Sequence, residues 1–155
     1  MTREEFLERY PFLNSKEIAK CRFTSFGNGY KFIRVENFQG DCGLFDEEGK
    51  IIVPVMYKTI EVFDGFIIAG NSCCSVVYDY EGNQILPISK TYAYVSEFGK
   101  YIFQGVEIES KVYTKVYDKT GKEFVPGEVY EDVFAQHEEF LAVKHNGHWK
   151  VLYTI

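Results

Sequence analysis

The sequence predicts an all-β fold: an array of antiparallel β-meander or hairpin repeats in an open or loosely closed stack, with a short N-terminal helical cap. Three observations predict it. One turn motif recurs three times, short apolar runs flank each occurrence, and the composition favours pleated surfaces, with 14 Phe and 12 Tyr against a single Trp. A compact pseudo-threefold β-barrel of the trefoil kind is the alternative arrangement of the same units.

The motif is aromatic-Asp-x-x-Gly-x-x-x-x-Pro. It runs from Phe45-Asp46 through Gly49 to Pro54, from Tyr78-Asp79 through Gly82 to Pro87, and from Tyr117-Asp118 through Gly121 to Pro126. An Asp that opens a type I turn accepts hydrogen bonds from backbone N–H groups just ahead of it. A Gly three residues on takes the left-handed conformation that sends the chain back. The structural turn residues are therefore Asp46, Gly49, Asp79, Gly82, Asp118 and Gly121. Apolar runs on both sides, such as Leu44-Phe45 with Ile51-Ile52-Val53, make each copy a hairpin, as do Val76-Val77-Tyr78 with Ile85-Leu86 and Val116-Tyr117 with Phe124-Val125. The Pro is expected to end the second strand, because it has no N–H for the ladder.

The copies still agree beyond the Pro. Tyr57, Ile60 and Phe63 recur as Tyr92, Val95 and Phe98, and more loosely as Tyr130, Val133 and Phe134. A further apolar strand follows each set, and Tyr30–Val35 supplies an earlier half-copy. His145-Asn146-Gly147-His148 adds a tight hairpin, since Asn-Gly suits a type I′ turn.

The N-terminal segment reads differently. Thr2 and Glu5 form a capping-box pattern, Phe6, Leu7 and Tyr10 share a helical face, and Pro11 stops the element. A second short helix is expected from Ser15 to Cys21. Residues 1–22 are thus read as a helical cap and 23–155 as the β-repeat domain, one domain in all, with the cap shielding a sheet end.

A formal net charge of −6 argues against general binding to nucleic acid or an anionic membrane. No apolar run is long enough to span a bilayer, and the charged start Met1-Thr2-Arg3-Glu4-Glu5 resembles no secretory leader, so a cytoplasmic location is expected. Cys21, Cys42, Cys73 and Cys74 match no zinc spacing and read as reduced thiols packed as small hydrophobes.

The repeat resembles the bacterial WG-repeat family, also called the KWG repeat. That pattern runs Trp-Gly, two apolar residues, Asp, two variable residues, Gly, a short strand, Pro, then Tyr-Asp and a Phe. The likeness covers about residues 26–155 and rests on the turn Asp, Gly and Pro. The Trp column reads Cys42, Ser75, Thr114 and Trp149, and the Gly column reads Gly43, Val76, Lys115 and Lys150. The resemblance implies a β-repeat architecture and a non-enzymatic binding role, with no catalytic residues to carry over.

No nucleophile, acid–base or phosphate-cradling motif stands out, so neither catalysis nor a cofactor is expected. The turn aspartates are too few per loop for a calcium site. His145 and His148 face each other across a hairpin and with His137 could hold a metal, although solvated histidines at a hairpin tip are the plainer reading. Trp149 is expected to pack in the core.

Charge is the sharper signal. Between Glu123 and Val143 stand six acids and no Lys or Arg, while the remaining 17 acids balance 17 bases. Glu128, Glu131, Asp132, Glu138 and Glu139 are the candidate partner-binding residues, and the partner expected is an unidentified protein with a basic surface. The expected function is a non-enzymatic protein–protein interaction module, for instance an acidic inhibitor or immunity-type protein. A carbohydrate or small-ligand binder using the aromatic surplus is the alternative.

Overall fold

The computed structural model describes residues 2–26, 30–72, 74–89, 93–95, 101–137 and 140–153, and within them the chain is nearly all β. The first sheet is a meander of β1 (Ile18–Phe26), β2 (Tyr30–Asn37), β3 (Cys42–Phe45) and β4 (Ile51–Tyr57). The second repeats it with β5 (Thr59–Phe63), β6 (Phe66–Gly70), β7 (Ser75–Tyr78) and β8 (Gln84–Ser89). The third has β9 (Ala93–Val95), β10 (Ile102–Ile108) and β11 (Lys111–Tyr117); the fourth has β12 (Asp132–His137), β13 (Phe140–His145) and β14 (His148–Tyr153). Strands adjacent in sequence are adjacent in each sheet, and no barrel closes among the described residues, so the trefoil alternative does not form. The chain divides into two compact units, Met1–Ser72 with Tyr78–Gln84 and Cys73–Val77 with Ile85–Ile155. Tyr92, Phe98 and Cys73 lie outside the described residues.

The three Asp-x-x-Gly turns share one hydrogen-bond pattern. In the first, Asp46 Oδ1 accepts from the N–H of Glu48 at 2.9 Å and of Lys50 at 2.8 Å, Gly49 N–H donates to Asp46 O, and Asp46 N–H donates to Lys50 O. The same bonds recur around Asp79, from Glu81, Gly82 and Asn83, and around Asp118, from Thr120, Gly121 and Lys122. Gly49, Gly82 and Gly121 all lie at positive φ, between 86° and 92°. A fourth turn of this kind went unread in the sequence. Asn37 Oδ1 accepts from Gln39 N–H and Asp41 N–H, Gly40 N–H donates to Asn37 O, and Gly40 has φ 83°. An amide oxygen there does the work of a carboxylate, and the turn joins β2 to β3.

The turn glycines also make contacts that need the missing Cβ. A Cβ on Gly82 would lie 2.9 Å from the Ile52 carbonyl oxygen, and one on Gly121 would overlap the Ile85 carbonyl oxygen. Ile52 and Ile85 hold the same place, three residues past the turn Gly of their own copy. Each turn therefore rests on the backbone of the hairpin before it. A Cβ on Gly49 would lie 2.9 Å from the Phe12 ring instead of a preceding hairpin's carbonyl.

Phe12 belongs to the N-terminal cap. Helix α1 (Arg3–Arg9) carries the full capping box, with Glu5 N–H donating to Thr2 Oγ1 and Thr2 N–H to Glu5 Oε2. Its apolar side and the 3-10 turn Pro11–Leu13 cover one face of the first sheet, where Tyr10, Leu13, Ile33 and Val35 are buried together. The expected second helix at Ser15–Cys21 does not form. Ser15 Oγ accepts from Glu17 N–H, the bond of an N-cap, but Ile18 N–H then donates to Ser15 O and the chain turns into β1. The continuous antiparallel ladder with β2, from Lys20↔Glu36 to Phe26↔Tyr30, overrides the local helical preference. Strand structure thus begins inside the segment allotted to the cap.

Two further expectations fail for identifiable reasons. Pro54 does not end its strand but lies within β4, because the register jumps from Leu44↔Val53 to Cys42↔Tyr57 and leaves Pro54 in a bulge where no N–H is required. Gly43 faces that bulge, and a Cβ on it would lie 2.7 Å from Val53 O. Pro87 likewise lies within β8. In the third copy the strand expected at Phe124-Val125 shrinks to a single bridge, Tyr117↔Glu123, before the chain turns again at Pro126-Gly127. Glu123 Oε2 accepts the Gly127 N–H and holds that second turn.

Gly40 separates the two roles of the turn glycine, since it has the same positive φ but nothing within 4 Å of its Cβ position. Gly40→Ala should cost about 1–2 kcal/mol, the left-handed penalty alone. Gly82→Ala and Gly121→Ala should cost clearly more in urea unfolding, because backbone would have to move. Equal losses at all three positions would mean that the hairpin-to-hairpin contact contributes nothing.

Candidate interaction surface

The acidic segment enters and begins the fourth sheet, and its charges do not stand alone. Lys115 Nζ on β11 is 2.7 Å from Glu123 Oε1, and Lys150 Nζ on β14 is 3.0 Å from Glu128. Glu128 also accepts from Tyr130 Oη at 2.7 Å. Glu131 accepts the Gly147 N–H at 2.9 Å and has Lys144 Nζ at 4.0 Å. Asp132 is exposed and accepts the Val133 N–H, its one hydrogen bond among the described residues. Glu138 and Glu139 lie outside the described residues. A linear count finds no cation in this stretch because the cations arrive from other strands of the fold.

The electrostatics follow these contacts. The Lys115 ammonium, with the Gly127 N–H, holds the Glu123 carboxyl below the usual carboxylate range, and Glu123 raises Lys115 in return. The Tyr130 hydroxyl, then Lys150, hold Glu128 down in the same way. Burial, reinforced by Glu128, pushes the Tyr130 phenol up. Three of the four described acids are thus built into the unit, and Asp132 remains as the open negative charge.

The outer face of the same sheet has a different character. The register rows are Asp132↔Lys144↔Trp149 and Phe134↔Ala142↔Val151, followed by Phe140↔Tyr153. The opposite face carries Leu141 and Val143, buried with Tyr101, Phe103, Val116 and Tyr130. Trp149 therefore cannot reach the core, and the expectation that it packs there is wrong: it is 55 % exposed, Val151 48 %, Tyr153 69 % and Phe134 52 %.

Comparison of equivalent positions gives this face its meaning. Cys42, Ser75 and Thr114 occupy the Trp149 column at 3–9 % exposure, and Leu44, Val77 and Val116 occupy the Val151 column at 0–3 %. In the first sheet the Leu44 face is shared with Arg34, whose guanidinium donates to Ile60 O of β5, the next repeat. Trp149 and Val151 on β14 thus stand at positions that the other copies keep buried.

Among the described residues no group of three His, Cys, Asp or Glu side chains is placed to hold a metal ion. His145 Nδ1 lies 3.1 Å from the Val129 carbonyl, and His148 opposes it in the hairpin, which is a type I′ turn with Asn146 and Gly147 at φ 51° and 80°. Among the described residues no helix is long and apolar enough to cross a membrane. No protein-family model matches the chain, and no curated protein matches it.

The lysine pairing predicts an acid-sensitive unit. A carboxyl held below its unfolded pKa adds stability that is fully present above that value, about 4.3 for Glu, and is lost as pH falls through the folded one. Glu128→Gln keeps an acceptor for Tyr130 but cannot titrate. Its melting temperature should sit below wild type at neutral pH and fall less steeply towards about pH 3. Parallel curves for the two proteins would mean that Glu128 contributes nothing through its charge.

Proposed function

We propose that this chain is a divergent WG-repeat protein acting as a non-enzymatic protein–protein interaction module. Three Asp-x-x-Gly turns with one hydrogen-bond pattern, set in successive antiparallel meanders, support the family reading. The observation that carries the functional reading is the exposed stripe of Trp149, Val151 and Tyr153, with Phe134 beside it, in which Trp149 and Val151 stand in columns that are buried elsewhere in the chain. Three aromatics at half exposure or more leave an apolar patch of roughly 300–400 Å², the size that on a soluble protein marks an interaction site. Trp and Tyr are also the residue types that anchor interfaces. Exposure near one half or above makes this an open face rather than the cleft a sugar or small ligand needs, which favours a protein partner. Asp132, beside the stripe, retains the preference for a basic rim on that partner.

A photoreactive residue at Val151 tests the reading. In the native host it should cross-link a partner protein, and Trp149→Ser with Tyr153→Ser should abolish the capture without lowering the melting temperature, since both side chains are exposed. Loss of capture in Asp132→Lys alone, with the aromatic variant unaffected, would move the surface to the acidic segment. Displacement of the cross-link by soluble oligosaccharides would favour a carbohydrate binder.

A further inference from the structure

The first unit carries a second recognition feature, independent of the β14 face. Strand β1 is an end strand of its sheet, so one side of its backbone has no ladder partner among the described residues. An open cavity of about 1020 Å³ runs beside it, at or beyond the upper end of the roughly 300–1,000 Å³ that small-molecule sites span.

The two walls of this cavity differ, and the pleat of β1 explains why. Phe23 projects to the cap side, where its ring lies 5.3 Å from Phe6 and 5.6 Å from Tyr10 between centroids. Phe6, Leu7 and Leu13 extend that apolar wall. Lys20 and Arg22 alternate with Cys21 and Phe23 and project to the other face. There the register sets Arg22 directly opposite Arg34, and Lys20 opposite Glu36. Like charges directly opposed across a ladder are unfavourable. Arg34 is tied to Ile60 O and Cys42 Sγ, whereas neither Lys20 nor Arg22 meets a carboxylate among the described residues. Three cations against one acid line the wall of a protein whose net charge is −6.

We propose that the edge of β1 binds an extended segment of a partner protein, added as a further strand, in which apolar and acidic residues alternate. An added strand turns successive side chains to opposite faces, so its apolar residues meet the Phe6–Leu7–Leu13–Phe23 wall and its acids meet Lys20 and Arg22. Main-chain hydrogen bonds to β1 supply affinity, and the two unlike walls supply selectivity. Cations on an edge also discourage two copies from pairing edge to edge. They therefore select an acidic strand over a second copy of β1, which would bring its own Lys20 and Arg22.

The test is selection from a phage-displayed library of random octapeptides on the intact protein, followed by fluorescence anisotropy on the enriched sequences. Selected peptides should alternate apolar and acidic residues. N-methylation of alternate backbone amides should weaken binding at least tenfold, as should Lys20→Glu with Arg22→Glu. Both side chains are exposed, and an unchanged melting temperature would confirm that the variant folds. Enriched peptides with no alternation, N-methylated peptides that bind unchanged, or a double variant that binds as wild type would each overturn the proposal. Trp149→Ser with Tyr153→Ser should leave the selected peptides bound, which separates this site from the β14 face; loss of binding there would also overturn it.

Discussion

The described architecture depends on a carboxylate or amide oxygen that gathers the N–H groups of a tight turn, and on a glycine three residues later that closes it at positive φ and, at Gly82 and Gly121, lies against backbone. In the turns at Asp46, Asp79 and Asp118 the side chain accepts two main-chain donors, and the glycine closes the loop at positive φ. Those bonds set the hairpin locally. The glycine's missing Cβ sets the next level, because Gly82 and Gly121 each lie on the carbonyl of the preceding hairpin. One residue type thus controls both the turn and the approach of successive repeats. Burial alone could not do this, since apolar packing is not directional.

This constraint explains why the cap takes the form it does. At Gly49 the Phe12 ring takes the place that an isoleucine carbonyl fills at Gly82 and Gly121. Tyr10 Oη donating to Glu47 ties the cap to the same turn at 3.2 Å. The cap therefore imitates a repeat at one face of the first sheet. Among the described residues nothing comparable covers β14, where Val151 is 48 % exposed in a column that elsewhere does not exceed 3 %.

The turn motif, the hairpins around Asp46 and Asp79 and the capped helix were legible because each depends on residues within about five positions of one another, the range over which turn and cap chemistry acts. The Asn37 turn escaped because amide and carboxylate oxygens are equivalent acceptors but different letters. The Ser15–Cys21 segment was misread because its strand identity comes from β2, eight or more residues away in sequence along most of the ladder. The hairpin of β10 and β11 gave no sequence signal, since Glu109 and Ser110 adopt positive φ without being Gly or Asn. Ladder pairing from Ile108↔Lys111 to Ile102↔Tyr117 offsets the strain that the turn imposes.

The acidic stretch shows the same limit on the functional side. Charge along a chain describes a field only if the fold keeps those charges apart from their opposites. Here Lys115, Lys144 and Lys150 reach Glu123, Glu131 and Glu128 from β11, β13 and β14. The fold brings residues from 8 to 22 positions apart side by side, so this block of one sign is largely paired with cations from outside it. Apolar patterning is less easily concealed. Trp149, Val151 and Tyr153 share a face by strand periodicity alone, and whether that face is inward depends on which repeat follows. The informative quantity is therefore the exposure of a repeat column compared with its own equivalents. By that measure Trp149 and Val151 on β14 are exposed where their counterparts in the chain are buried, and that difference is what supports placing recognition there.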